Sequence, residues 1–379
     1  MGKEGGMKNL YFERSRLYQS EKGRSKLVYE IMPDKVVLNR DYGDIHKGFQ
    51  KGNKTPFAGI ELVPCLEALS PELIEASGRI KREVVWPDAF ALGAFDLFKE
   101  GIYNAWDSKK YHVVLHSSGH DSRMVSWAIK ELTEEHGPEW LGDILFFELN
   151  WETEQFHKIM DAEGWGRDRR YVYNEGAEPG DVHEYSFNFS DAWERLNAGT
   201  IGYPINTNYD CIKWLQDKGI APMDVQVLTG HGGSEIARSF HNGEEISTFI
   251  QNMYRYALMG YPLRGENIHA FYYLPFMQYV RKYGQEHINQ RSIADAILDY
   301  IAPALTPIKR VTVHELVEKG CQNISRKLLQ RAVDAYRGSQ YYKDLGIMVS
   351  PSTTLNYSDW WGHYNLASYY EKLKEEGRI

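Results

Sequence analysis

A chain of 379 residues exceeds the roughly 100 to 200 that one domain usually spans, so it holds one large core or several smaller ones. Hydrophobic residues at 42% and charged residues at 25% match an ordinary globular protein and exclude a disordered one. Lys and Arg total 44 against 52 for Asp and Glu, and the resulting net charge of -8 disfavours non-specific binding to nucleic acid.

The first ninety residues scatter Gly, Pro and charge among short apolar runs at 36–38 and 60–63, and no role for them follows from the pattern. The opening M-G-K-E-G-G-M-K-N-L lacks the apolar core of a signal peptide, and no stretch approaches the ~18 consecutive apolar residues of a membrane span. A soluble, cytoplasmic protein is therefore expected. A myristoylation signal fails at Gly6, where Ser or Thr is required. Cys65, Cys211 and Cys321 are far apart and form neither a disulfide framework nor a metal-binding spacing, which fits a reducing compartment. The run G-F-Q-K-G-N-K-T at 48–55 has the flavour of a Walker loop but not its spacing, and reads as a solvated loop.

The texture changes near residue 88. Asp88, after Pro87, predicts a helix cap, and Phe90, Phe95, Leu97, Phe98 and Ile102 supply a buried stripe behind it. A strand is predicted at 111–116 and a helix at 122–135, with Val125, Ile129 and Leu132 on one face. The alternation continues with a strand at 144–149, a helix at 153–163 and a strand at 170–173. A helix near 209–218 and a strand at 225–228 follow. Strands alternating with helices argue for an α/β fold, a parallel sheet covered by helices on both faces. Beyond residue 246 the pattern is helical at 246–259, 272–283 and 291–301. The end is rich in aromatics (Tyr357, Trp360, Trp361, Tyr364, Tyr369, Tyr370) and reads as a cap on the core rather than a stacking surface.

Two Gly-rich turns follow predicted strands, where ligands of parallel sheets bind. The first is L-H-S-S-G-H-D-S, in which Ser117, Ser118, Gly119 and Ser122 offer amides and hydroxyls at a helix N-terminus, a setting that favours anionic oxygens. Asp121 makes sense there if a magnesium ion lies between its carboxylate and phosphates. The second turn is T-G-H-G-G-S-E at 229–235, with Gly230, His231, Gly232 and Glu235. The spacing of His112, His116 and His120 would suit a metal only on a helix, and this stretch is a strand running into a turn.

The first turn resembles the S-G-G-x-D-S pyrophosphate loop of the N-type ATP pyrophosphatases, with Ser118 in place of the first Gly. The segment V-Q-V-L-T-G-H-G-G-S-E-I at 225–236 is similar to V-x-L-S-G-E-G-x-D-E-L of the asparagine synthetase and β-lactam synthetase domains. F-Y-Y-L-P-F-M-Q-Y-V at 271–280 and the stretch from 293 to Lys309 resemble two further segments in the family's order. The resemblance covers about 88–315 and implies a PP-loop synthetase domain there. Residues 1–87 then form an N-terminal region and 316–379 a helical extension.

That resemblance implies ATP and magnesium as cofactors and an ATP-dependent ligase that adenylates a carboxylate and passes it to ammonia or an amine. Leu115, Ser117, Ser118, Gly119, Asp121, Ser122, Gly230 and Gly232 would bind ATP and its pyrophosphate, with Asp121 on the metal. Lys309 would support the α-phosphate, and His231, where asparagine synthetase has a Glu, would act as base beside the retained Glu235. Ser234 stands where the family has a second metal-binding Asp. Leu115 or the strand containing Phe146 and Phe147 would lie near the adenine. A glutaminase domain with an N-terminal cysteine is not expected, so nitrogen would come from ammonia, an amine or a separate donor subunit; a homo-oligomer is also compatible. The alternatives are a PP-loop enzyme that adenylates a nucleic-acid base or other carbonyl, and a nucleotide-binding protein that has lost catalysis. Thiolation is disfavoured for want of a suitable cysteine pair.

Overall fold

A computed structural model of the chain describes residues 83–148, 152–172, 214–215, 217–220, 224–230, 266–268, 270–288, 292–312 and 337–345, with an antiparallel pairing of Tyr18–Gln19 and Ser25–Lys26 and a few further residues elsewhere. The apolar runs at 36–38 and 60–63, the helix at 246–259, the three cysteines and the C-terminal aromatics lie outside the described residues.

Helix α1, Pro87–Ala105, places Phe90, Ala91, Ala94, Phe95, Phe98 and Ile102 in the core. Pro87 sits at its start, where the missing N–H costs no helical bond. The cap residue is Trp86, in extended conformation and without a side-chain cap bond, rather than Asp88. Asp88 instead lies in the first turn, its carboxylate accepting from Ala89 N at 2.9 Å. Proline at the first helical position moves the start upstream of the acidic residue, which then favours the positive end of the helix dipole.

Five strands follow: β1 (Tyr111–Leu115), β2 (Asp143–Glu148), β3 (Arg170–Val172), β4 (Val225–Thr229) and β5 (Glu266–Ile268). They form one sheet in the order β3-β2-β1-β4-β5, and every pairing is parallel. Between them run α2 (His120–His136), the short α3 (Pro138–Leu141) and α4 (Thr153–Glu163). After β5 come α5 (Leu274–Tyr283), α6 (Gln285–Ile288) and α7 (Ile293–Ile301). The three-residue strand β5 is absent from the sequence expectations, since E-N-I carries neither length nor alternation.

The period-two geometry of the strands sends neighbouring residues to opposite faces. Val114, Phe146 and Leu228 join the core under α1, α2, α5 and α7. Val113, Leu115, Leu145, Phe147, Val225 and Val227 pack on the other face with Leu215, so apolar side chains are buried on both. At the lower end of the sheet, the buried His112 stacks on Trp106 with ring centroids 3.7 Å apart and meets Gln226 Oε1 at 2.9 Å. Gln226 in turn donates to Ala105 O at 2.8 Å, which fastens the exit of α1 to β4. Among the described residues no helix is long and apolar enough to cross a membrane.

The sheet starts in its central strand β1, moves outward through β2 and β3, then reverses through β4 to β5. The strand order reverses between β1 and β4, and in open parallel sheets a crevice at the carboxyl ends of the strands is expected at such a reversal. Phe98 anchors the helical layer above this point, packed edge-on to Phe271 and Phe276 at 4.8 and 5.4 Å. Phe98→Ala is expected to cost about 3 to 5 kcal/mol of stability in urea unfolding, because a fully buried ring leaves a cavity.

Candidate functional site

Both Gly-rich turns leave the sheet at the same level, because Leu115 of β1 is paired in register with Thr229 of β4. The first, 116–119, runs straight into α2, whose cap is Gly119 at φ -67. Helix α2 starts at His120, two residues earlier than the sequence suggests, so Asp121 and Ser122 lie on its first turn. The amides of a first helical turn have no carbonyl four residues back and carry the positive end of the dipole.

Ser117 is exposed, and its Oγ lies 3.0 Å from Ser122 Oγ while accepting from Gly119 N at 3.1 Å. Ser118 is fully buried, and each of its polar groups is engaged within the protein. Its amide donates to Glu152 Oε2, its carbonyl accepts from Arg123 Nε at 3.0 Å, and its hydroxyl accepts from Val311 N at 2.9 Å. The loop therefore presents Ser117 outward and uses Ser118 to hold its shape. Leu115 turns its side chain into the second core cluster.

The second turn closes on the first. A Cβ at Gly230 would stand 2.7 Å from Ser122 N and 2.8 Å from Asp121 C, both backbone atoms. A Cβ at Gly233 would stand 2.6 Å from the carboxyl carbon of Asp121. Glycine at these two positions is thus a matter of close approach, not of unusual dihedral angles. His231, Gly232, Ser234 and Glu235 lie outside the described residues.

Beneath the loop lies a buried ionic group that the sequence reading overlooked. Arg123, with no exposed surface, donates from Nε to the loop and from Nη1 to Leu305 O at 2.8 Å, tying the segment after α7 to the turn. Burial pulls its guanidinium down to about 10, against the opposing charges of Glu163 and Glu152. Glu152 occupies the cap position of α4 without a side-chain cap bond there, because its carboxylate reaches Ser118 N. Glu163, at the other end of α4, accepts from Ser126 Oγ at 2.7 Å and from Trp165 Nε1 at 2.8 Å. Burial raises its carboxyl to about 8. Ser126 Oγ also meets His116 Nε2 at 3.1 Å, and burial, followed by the Arg123 charge, pushes His116 down to about 3. The only sequence signal for this group is a charged residue inside a buried helical stretch, as at Arg123; the partners come from distant elements.

The three histidines of the first turn region go to different partners. His112 pairs with Gln226, His116 with Ser126, and His120 Nδ1 with the carboxylate of Asp295. Asp295 also completes the capping box of α7, accepting from Ser292 N at 3.2 Å. Lys309 is exposed, and its Nζ lies 2.6 Å from Glu315 Oε1.

A divalent cation at this turn fits the donor set present: one carboxylate, Asp121, beside first-turn amides that suit phosphate oxygens. Magnesium is commonly held in this way by one or two carboxylates together with substrate phosphates. Among the described residues no group of three or more His, Cys, Asp or Glu could hold a metal. The chain matches no known family model, and no curated protein matches it.

Glu163 makes the pH dependence of stability testable. Its folded value, near 8, lies above the ordinary 4.5, so the folded state binds the extra proton between those pH values. Stability from this group is fully present at low pH and is lost as pH rises toward 8. His112 and His116, held down at about 4 and 3 by burial, are neutral throughout pH 7 to 9, the interval in which the Glu163 carboxyl loses its proton. Wild-type protein should lose about 1 kcal/mol across that interval, and Glu163→Gln should remove that loss. Urea unfolding of both proteins at pH 7 and 9 measures the difference, and identical slopes would remove Glu163 as its source.

Proposed function

We propose that the crevice between β1 and β4 binds the phosphates of ATP, and that residues 88–315 form an AMP-forming, carbon-nitrogen ligase of the asparagine-synthetase-like kind. The observation that carries this reading is the meeting of the two Gly-rich turns at Asp121, where a Cβ on Gly230 or Gly233 would strike the residue. A five-stranded parallel sheet with the first turn at its reversal point supports the PP-loop architecture suggested by the sequence resemblance.

In this reading Ser117, Gly119 and the first turn of α2 hold the pyrophosphate, and Ser118 and Ser122 keep the turn in shape. Asp121 would hold a magnesium ion, which supplies charge neutralisation on the phosphates. A carboxylate oxygen of the substrate attacks the α-phosphorus, the bond to the bridging oxygen breaks, and pyrophosphate leaves. Ammonia or an amine then attacks the acyl carbon, the bond from that carbon to the phosphate oxygen breaks so that AMP leaves with the oxygen, and a base such as His231 takes the nitrogen's proton. The protein's part is positioning and electrostatic stabilisation rather than covalent chemistry.

The test is product analysis after incubation with magnesium, α-labelled ATP, ammonium and a pool of carboxylic metabolites. Labelled AMP with equal pyrophosphate supports the reading, and labelled ADP contradicts it. Asp121→Ala is expected to lower AMP formation at least about 100-fold with unchanged circular dichroism, a loss typical of removing a group that stabilises transition-state charge. Undiminished AMP formation in that variant would take Asp121 out of the mechanism.

A further inference from the structure

Of the backbone N–H groups at 117–119, two turn to hydroxyls of the same stretch. Ser117 N donates to Ser122 Oγ at 3.3 Å, and Gly119 N to Ser117 Oγ at 3.1 Å. The third leaves it: Ser118 N donates to Glu152 Oε2, a carboxylate at the start of α4. The carbonyl and hydroxyl of Ser118 go elsewhere, accepting from Arg123 Nε at 3.0 Å and from Val311 N at 2.9 Å. Which way the buried Ser118 amide faces is therefore decided by Glu152.

A residue at the cap of a helix ordinarily turns its side chain back onto the first amides of that helix. Glu152 does not, because the start of α4 is fastened from the end of β2. Glu148 accepts from Glu152 N at 3.0 Å through Oε1 and from Thr153 Oγ1 at 3.2 Å through Oε2. A glutamate more often fills this role from the third helical residue. With its backbone held by Glu148, the Glu152 side chain is left to reach the turn. Strand pairing brings the two together: Phe147 of β2 is in register with Leu115 of β1, and His116 N donates to Phe147 O at 2.9 Å. Both carboxylates are buried, and buried carboxylates require donors such as these.

We infer that Glu152 is a positioning residue for phosphate binding at the turn and that Glu148 holds it in place; the inference rests on the reading of that turn as a polyphosphate site. Glu152 acts from behind rather than on the ligand. It keeps the Ser118 amide turned inward, so that the Ser117 hydroxyl and the first-turn amides of α2 keep their direction toward the crevice. Without that acceptor the buried amide must find another, by turning the loop or by drawing in water. The role calls for an oxygen at this place, whereas a field effect on the phosphates would call for a charge. Replacing the carboxylate by a carboxamide separates the two, since the carboxamide oxygen still accepts from an N–H.

The experiment is calorimetric titration of inorganic pyrophosphate and of magnesium ATP into the full chain, paired with hydrogen exchange at the Ser118 amide. Wild type is compared with Glu152→Gln, Glu152→Met and Glu148→Met, with thermal melts confirming the fold. Methionine keeps the length of the side chain without its oxygens. Glu152→Asp, one methylene shorter, replaces the methionine variant if that variant does not melt like wild type. Glu152→Met should weaken both ligands at least about tenfold, the loss expected for one charged hydrogen bond. Glu152→Gln should stay within about threefold of wild type, because a neutral bond replaces the charged one while a negative charge near the phosphates is removed. The Ser118 amide should exchange slowly in wild type and in Glu152→Gln, and at least about tenfold faster in Glu152→Met. It should also exchange faster in Glu148→Met, which leaves Ser118 and Glu152 themselves unchanged. Equal affinities in the Gln and Met variants, or a Ser118 amide that exchanges freely in wild type, overturn the positioning role and leave the polyphosphate reading standing. A wild-type chain that binds neither ligand overturns both.

Discussion

A guanidinium removed from water must find both charge and acceptors nearby, because the desolvation of a lone buried cation costs several kcal/mol or more. Arg123 meets that demand through the loop carbonyl of Ser118, the carbonyl of Leu305 and the charge of Glu152 at the start of α4, while Glu163 at the other end adds charge only as pH rises past about 8. The shape of the candidate site follows from this arrangement. Ser118 cannot shift without disturbing Arg123, Glu152 and Val311 together, so the turn that faces the crevice is held from behind. The protonated fraction of Glu163 adjusts the net charge of the same group, which couples pH to the loop's support rather than to its outward face.

Topology places this support where a ligand can use it. Parallel strands put all their following loops at one edge, and the reversal of order between β1 and β4 opens a gap between two of them. Into that gap the first turn brings a helix N-terminus, and the second brings glycines that let two backbones meet at Asp121. The two glycines differ in consequence. A side chain at Gly230 would press on backbone atoms that have nowhere to go, whereas one at Gly233 would press on a carboxylate that can swing aside. The first protects the fold and the second protects the position of a charge.

Much of this was legible in the residues, and the limits have physical causes. Tyr111–Leu115, Asp143–Glu148 and Thr153–Glu163 announce themselves because a buried strand or an amphipathic helix imposes a period on its own sequence. The two turns announce themselves because few residue types tolerate such crowding. Strand β5 does not, since three residues at a sheet edge impose almost nothing. The cap of α1 was misplaced for a local reason: Pro87 and Asp88 compete for the helix start, and the proline wins. Glu152, Glu163 and Asp295 were invisible as site residues because each acts through a partner on another element. No spacing rule connects Glu152 to Ser118 or Asp295 to His120.

The contact between the two turns makes a binding site only if it holds the Asp121 carboxylate in place against Gly233. Titration of magnesium ATP into Gly233→Ala measures this most directly, since a methyl group there must displace the Asp121 carboxylate while sparing the backbone. The expected result is a loss of affinity of at least about tenfold, the size of one charged contact, with a melting temperature close to that of wild type. Wild-type affinity in a variant that folds normally would contradict the claim that Asp121, held against the second turn, receives the phosphates and their cation.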